Sequence, residues 1–118
     1  HALELARGSD TTVVLDWAQV PLLPEARSLA ARGLVTGASG RNWAAYGAEV
    51  QLPSAFADAD RALLTDPQTS GGLLVACAPE AVPAVLDVFR TGGFGEAAVV
   101  GGVDAGASGP RLVIRAPD

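Results

Sequence analysis

An α/β (α+β) domain, a mixed β-sheet covered by helices, is the fold class that three features of this 118-residue sequence predict. Short β-branched and apolar runs, led by Thr11 to Leu15, have the length and composition of strands. Between them lie stretches of helical period, clearest where Val82, Val85, Leu86 and Phe89 fall at i, i+3, i+4 and i+7 on one face. The two kinds of segment interleave without repeats, low-complexity tracts or an internal linker, an order that argues for helices laid over one sheet. Residues 1 to 118 therefore read as a single domain, long enough to bury about two thirds of the unfolded chain's surface.

Residues 2 to 7 pattern as a helix, with Leu3 and Ala6 three apart and Gly8 as a stop. Because it opens at His1, the front of that helix reads as truncated. Thr11 to Leu15 follows as a strand buried on both faces. Pro24 suits the first position of a second helix, with Glu25 in its first turn, Ala26, Leu29 and Ala30 as its apolar stripe, and Gly33 past its end. Residues 34 to 47, which hold Gly37, Gly40 and Gly47, read as a loop. Ala48, Val50 and Leu52 alternate with Glu49 and Gln51, the pattern of a half-buried strand. Ser54 is placed to cap a helix over residues 55 to 64.

Leu73 to Cys77 is an apolar run read as a buried strand. The Val82 helix should begin near Glu80, because Pro83 is tolerated only in a first turn, and end at Gly92-Gly93. Glu96 to Val103 reads as a strand interrupted at Gly101-Gly102, and Ala105 to Pro110 as a turn. Arg111 to Arg115 is a last strand with Leu112 and Ile114 on one face.

Composition excludes some functions. A net charge of −5 opposes a nucleic-acid partner, which needs a basic face. No apolar run approaches the eighteen or so residues needed to span a membrane, and no signal-peptide pattern is visible. The one cysteine cannot form an internal disulfide, which suits a reducing compartment, so a cytoplasmic location is expected. All eight basic residues are Arg and none is Lys, so phosphate handling on this chain would fall to Arg, backbone amides or metal.

The stretch with most chemical content runs from Leu63 to Cys77. Asp66 and Pro67 suit the first two positions of a tight turn. Gly71-Gly72 opens backbone angles closed to other residues, or admits a close neighbour. The hydroxyls of Thr69 and Ser70, with the amides of Ser70, Gly71 and Gly72, form a candidate anion-binding concavity built from backbone donors.

Elsewhere the chemistry is thin. His1 is the only histidine, and Cys77 is expected as a buried structural thiol. Together they make neither a metal site nor a nucleophilic triad. Asp58 and Asp60, two apart on a helix, face different ways. Arg61 reads as a solvated charge, and Trp17, Trp43 and Tyr46 as packing residues. Thr36-Gly37-Ala38-Ser39-Gly40 is not a dinucleotide loop, because it follows a helix end rather than a strand. It reads as a flexible connection. No catalytic or metal-binding residue is assigned.

The string Asp66-Pro67-Gln68-Thr69-Ser70-Gly71-Gly72-Leu73-Leu74 resembles the C-terminal domain signature of the selenophosphate synthetases (selenide, water dikinases) over nine consecutive residues. His1-Ala2-Leu3-Glu4-Leu5-Ala6 looks like the start of that domain, where a Gly-His-x-x-Glu helix is expected. Arg41-Asn42, followed by Tyr46-Gly47, looks like its middle segment. The resemblance implies a C-terminal domain of the aminoimidazole-ribonucleotide synthetase-like type. The enzyme it implies makes selenophosphate, AMP and orthophosphate from ATP, selenide and water.

By the same resemblance, Mg2+ and ATP serve the full-length enzyme, and neither is expected on this fragment alone. The reactive Cys or selenocysteine, a catalytic Lys and most ATP- and magnesium-binding aspartates would belong to the N-terminal half. The fragment is accordingly expected to be inactive alone. It would close one side of the ATP cleft against the N-terminal ATP-binding domain, in a homodimeric enzyme. The substrate-cleft candidates are Gln68, Thr69, Ser70, Gly71 and Gly72, joined by Asn42 through resemblance alone. The alternatives are a related superfamily enzyme, of thiamine-phosphate kinase or hydrogenase maturation type, and a stand-alone module that binds ligands without catalysis.

Overall fold

A computed structural model describes residues 1–105 and 109–116. Strands β1 (Thr11–Asp16), β2 (Val50–Gln51), β3 (Gly101–Ala105) and β4 (Leu112–Arg115) form one mixed sheet of order β2-β4-β1-β3. β1 pairs antiparallel with β3, Val13 opposite Val103, and parallel with β4, Val13 opposite Leu112. β2 runs parallel to β4 on its other side. Flanked on both sides, β1 buries Val13 and Val14, whereas β3 at the edge is exposed over four of its five residues. Periodicity identified these segments. Their order follows from long-range pairing that no local pattern carries.

Helices α1 (Ala2–Ser9), α2 (Ala26–Ala31), α3 (Gly37–Tyr46), α4 (Asp58–Leu64) and α5 (Val82–Thr91) complete the domain. α1 lies on β1 and buries Leu3 and Ala6, the pair its spacing selects. The chain leaves α1 through Asp10, whose φ of 54° is left-handed, so the stop falls at Asp10 rather than Gly8. Aspartate tolerates that conformation better than most residues. Leu3, Ala6, Val13, Trp17, Leu112 and Ile114 form the core, with Phe56, Leu63 and Leu64 packed against it.

Several boundaries differ from expectation. α2 starts at Ala26, because Pro24 and Glu25 form the turn before it. α4 starts at Asp58 after Ala57, which makes no side-chain cap, so Ser54 is not the cap. The second strand is Val50–Gln51 rather than 48 to 52, since residues 47 to 49 wind as a 3-10 turn. β3 begins at Gly101 rather than Glu96. A 3-10 turn at Pro79–Ala81 delays α5 to Val82, with Pro83 in its first turn. Of the turn expected over Ala105 to Pro110, Ala105 ends β3 and residues 106 to 108 lie outside the described residues.

Two corrections bear on function. Residues 34 to 47, expected as a flexible loop, hold the ten-residue helix α3, whose Thr36 hydroxyl accepts the Ser39 amide as an N-cap. Residues 73 to 77, expected as a buried strand, belong to no ladder and are exposed, Leu73 by 80%. Among the described residues the order β2-β4-β1-β3 leaves the outer edges of β2 and β3 open, yet residues 73 to 77 pair with neither, because apolar composition favours burial without specifying a strand partner. Cys77 is correspondingly exposed, not a buried structural thiol. On α5, Val82, Val85, Leu86 and Phe89 are half-buried, the face their spacing predicts, while Val88 is 74% exposed.

Candidate functional site

α4 ends at Leu64, and the chain then passes into the candidate elbow. The Gly71 amide donates to the Gln68 carbonyl at 3.3 Å, so Thr69 and Ser70 occupy the centre of the turn. Gly71 holds its fourth position, where glycine is favoured. The turn thus lies two residues beyond the Asp66-Pro67 start that the sequence suggested. A Cβ at Gly71 would sit 2.8 Å from both Gln68 Cβ and Oε1, so the Gln68 side chain folds over the bare Cα. Gly72 faces open space.

Gln68, Thr69, Ser70, Gly71 and Gly72 are all exposed. No side-chain hydrogen bond from Thr69 or Ser70 occurs among the described residues. Two hydroxyls therefore stand on an exposed turn with their hydrogen-bonding capacity unused by the described residues. The sixth candidate, Asn42, is elsewhere. It is half-buried on α3, and its Nδ2 donates to the Thr65 carbonyl at 2.8 Å.

Around Thr65 the structure assembles a polar cluster that the sequence reading missed. Ser39, 4% exposed, donates from Oγ to the Ala62 carbonyl at 2.9 Å and also meets Thr65 Oγ1. Thr65 Oγ1 donates to the Arg61 carbonyl at 2.8 Å. Thr36 Oγ1 donates to Asp66 Oδ1 at 3.1 Å. The available signal was Thr36 three residues before Ser39, an N-cap spacing, with Asn42 three further along the same face.

Three arginines lie over aromatic rings while pairing with carboxylates. Arg7 is 5.6 Å from the Tyr46 ring centre and pairs with Glu49. Arg27 is 5.3 Å from Trp17 and pairs with Asp60. Arg61 is 5.4 Å from Trp43 and pairs with Asp58 at 2.9 Å. Asp58 and Asp60 thus face different partners, as their spacing requires. Arg61 stays partly solvated, its side chain 39% exposed, while it also lies over Trp43. Of the three aromatics, only Trp17 is buried in the core.

Hydrogen bonding to Arg7 holds the Glu49 carboxyl below its ordinary value, against a smaller opposing effect of desolvation and with help from the Arg7 and Arg111 charges. The reciprocal bond raises Arg7. A depressed carboxylate stabilises the fold above its unfolded value, and that contribution fades as pH falls through the folded one. Wild type should accordingly melt above Glu49→Gln at neutral pH. The gap should close as pH drops below about 4, which melting curves across an acid series would check.

Two open clefts, of about 440 and 310 Å³, flank α4. Trp17, Arg27, Phe56 and Asp60 line the first, and Ser39, Trp43, Arg61 and Thr65 the second. Neither includes residues 68 to 72. Among the described residues no three His, Cys, Asp or Glu groups converge as metal ligands, and no helix is long and apolar enough to cross a membrane.

Among the described residues the domain combines a mixed four-stranded sheet with five α-helices and an exposed, hydroxyl-rich elbow after α4. The chain belongs to the family described as AIR synthase related protein, C-terminal domain, which matches residues 1–112. Within its reach are proteins named selenide, water dikinase. The one from Pseudomonas straminea is 57% identical over 114 residues, 97% of this chain and 31% of that protein. The one from Paraburkholderia xenovorans (strain LB400) is 57% identical over 113 residues, 96% of this chain and 32% of the relative. The one from Rhizobium meliloti (strain 1021) is 50% identical over 113 residues, with the same coverage of each. The chain spans about a third of the length of these curated relatives.

Proposed function

We propose that this chain is the C-terminal domain of a selenide, water dikinase, and that it closes one side of the ATP cleft. The observation that carries the reading is the Asp66–Leu74 string on an exposed turn, its Thr69 and Ser70 hydroxyls without side-chain hydrogen bonds among the described residues, in a chain so similar to the dikinases. The whole enzyme would convert ATP, selenide and water into selenophosphate, AMP and orthophosphate in the cytoplasm, as a homodimer. In this reading the hydroxyls of Thr69 and Ser70, with the amides of Ser70 and Gly72, donate to phosphate oxygens, or to water ordered on them, and orient the nucleotide, while the Gly71 amide closes the turn on Gln68. They neither attack nor transfer protons.

Magnesium would travel with the nucleotide, but the carboxylates of the described residues do not converge to hold it. Its ligands, the nucleophile and the catalytic lysine are assigned to the N-terminal ATP-binding domain of the same protein. The exposed apolar surface supports that partner. Leu73, Val75, Val88 and Phe94 are exposed by 80, 48, 74 and 67%, apolar surface of the kind such a partner would cover.

The full-length polypeptide should form AMP from ATP and magnesium only when selenide is present, and the 118-residue chain should form none. In the full-length enzyme, Thr69→Val and Ser70→Ala should each lose about 1 to 3 kcal/mol in kcat/KM for ATP. On a turn that touches nothing, the same changes would stay within about 0.5 kcal/mol of stability and leave kinetics alone. Wild-type kinetics in both variants would remove the elbow from the site.

A further inference from the structure

We propose that Thr36, Ser39 and Asn42 of α3 are positioning residues, which fix the point where the elbow leaves α4. An α-helix ends with carbonyls that lack intrahelical partners and need donors from elsewhere. α4 has no left-handed glycine cap to supply them, since Thr65 at its C-cap has φ −107° and ψ 3°. The Asp66 amide reaches the Leu63 carbonyl at 3.4 Å, and α3 adds side-chain donors to the carbonyls on either side. Ser39 Oγ reaches the Ala62 carbonyl at 2.9 Å, and Asn42 Nδ2 reaches the Thr65 carbonyl at 2.8 Å. Thr36 Oγ1 then takes hold of Asp66, the first residue of the elbow string, at 3.1 Å.

The placement of these bonds separates an anchor from general adhesive. They fall on residues 62 to 66, immediately before the turn, whereas Thr69 and Ser70 beyond it have no side-chain bonds among the described residues. The direction of the outward donors is thus inherited from Ala62, Thr65 and Asp66. Ser39 is the buried polar residue of this junction, and its hydroxyl has two competing acceptors. If Thr65 Oγ1 donates to the Arg61 carbonyl, the Ser39 proton is shared between the Ala62 carbonyl and Thr65 Oγ1. Both hydroxyl protons are then used. Asn42, which family resemblance grouped with the cleft, acts on the backbone of Thr65 and not on a ligand.

The inference extends the dikinase reading, yet its first test does not depend on it. Amide relaxation is measured on the full-length polypeptide labelled with 15N-glycine, reporting Gly71 and Gly72. Asn42→Ala should lower their order parameters from rigid values toward about 0.6 or less. Glycines in the sheet, such as Gly102, should stay unchanged, and Asn42→Gln, which keeps the amide donor, should restore much of the order. Thr36→Val, at an exposed position, tests the same anchor should Asn42→Ala fail to fold.

The second test is kinetic. Asn42→Ala should reduce kcat/KM for ATP at least fivefold, and its effect should be non-additive with Thr69→Val, because both act through one turn. Unchanged order at Gly71 and Gly72 in folded Asn42→Ala and Thr36→Val overturns the proposal, whatever the activity. Fully additive losses overturn it too, since they assign Asn42 a ligand contact of its own. An ordered-to-mobile change in a protein without dikinase activity would retain the anchor and reject only the assigned reaction.

Discussion

Trp17→Ala is expected to destabilise the domain by about 3 to 5 kcal/mol, the range for removing a large aromatic side chain from a core. Against a total stability of about 5 to 15 kcal/mol, that loss leaves little of the fold. Trp17 is 5% exposed, sits in the cluster of Leu3, Ala6, Val13, Leu112 and Ile114, and meets Phe56 edge-on at 5.9 Å. Its ring also lies beneath Arg27, so truncation uncovers the Arg27–Asp60 pair on the next layer. Trp17→Phe should cost far less. The indole Nε1–H is buried without an acceptor among the described residues, and phenylalanine removes that donor while retaining most of the apolar surface. Urea unfolding followed by far-UV circular dichroism compares the two. A loss below about 1 kcal/mol in Trp17→Ala would displace Trp17 from the centre of the core.

Gly101→Ala should be nearly as damaging, at about 3 kcal/mol or more. Gly101 pairs with Leu15 across the β1–β3 ladder. A Cβ there would collide with the Val14 carbonyl oxygen and lie 2.9 Å from its carbon. These are backbone atoms of the central strand, so no rotamer change relieves the contact. The strands must separate. Gly102, with nothing within 4 Å, is the matched control, and Gly102→Ala should alter stability little. Equal melting temperatures for the two variants would contradict the register of Leu15 with Gly101.

What the sequence disclosed divides along physical lines. The β-branched run of β1, the Leu112 and Ile114 alternation of β4 and the Leu3–Ala6 pair of α1 were readable, because each buries a face whose period is local. α3 was hidden because Gly37 and Gly40 lower helix propensity, while the bonds that hold the helix, from Ser39 and Asn42 to α4, come from residues more than twenty positions away. Residues 73 to 77 have strand composition but no strand partner, since the apolar pattern specifies burial without naming what does the burying. At the site, the hydroxyl–glycine elbow was legible as a turn. Its offset was not, because Thr36 engages Asp66 and removes that side chain from turn formation.

The exposed position of Cys77 has a practical consequence. As the one thiol in these 118 residues, at the end of the apolar run, it accepts a fluorophore without any substitution. A polarity-sensitive dye there would emit at shorter wavelength when Leu73 to Ala76 becomes covered, and would stay red-shifted while they face water. Titrating the labelled chain with the N-terminal domain proposed as its partner would then read docking as an optical isotherm, without nucleotide, selenide or turnover.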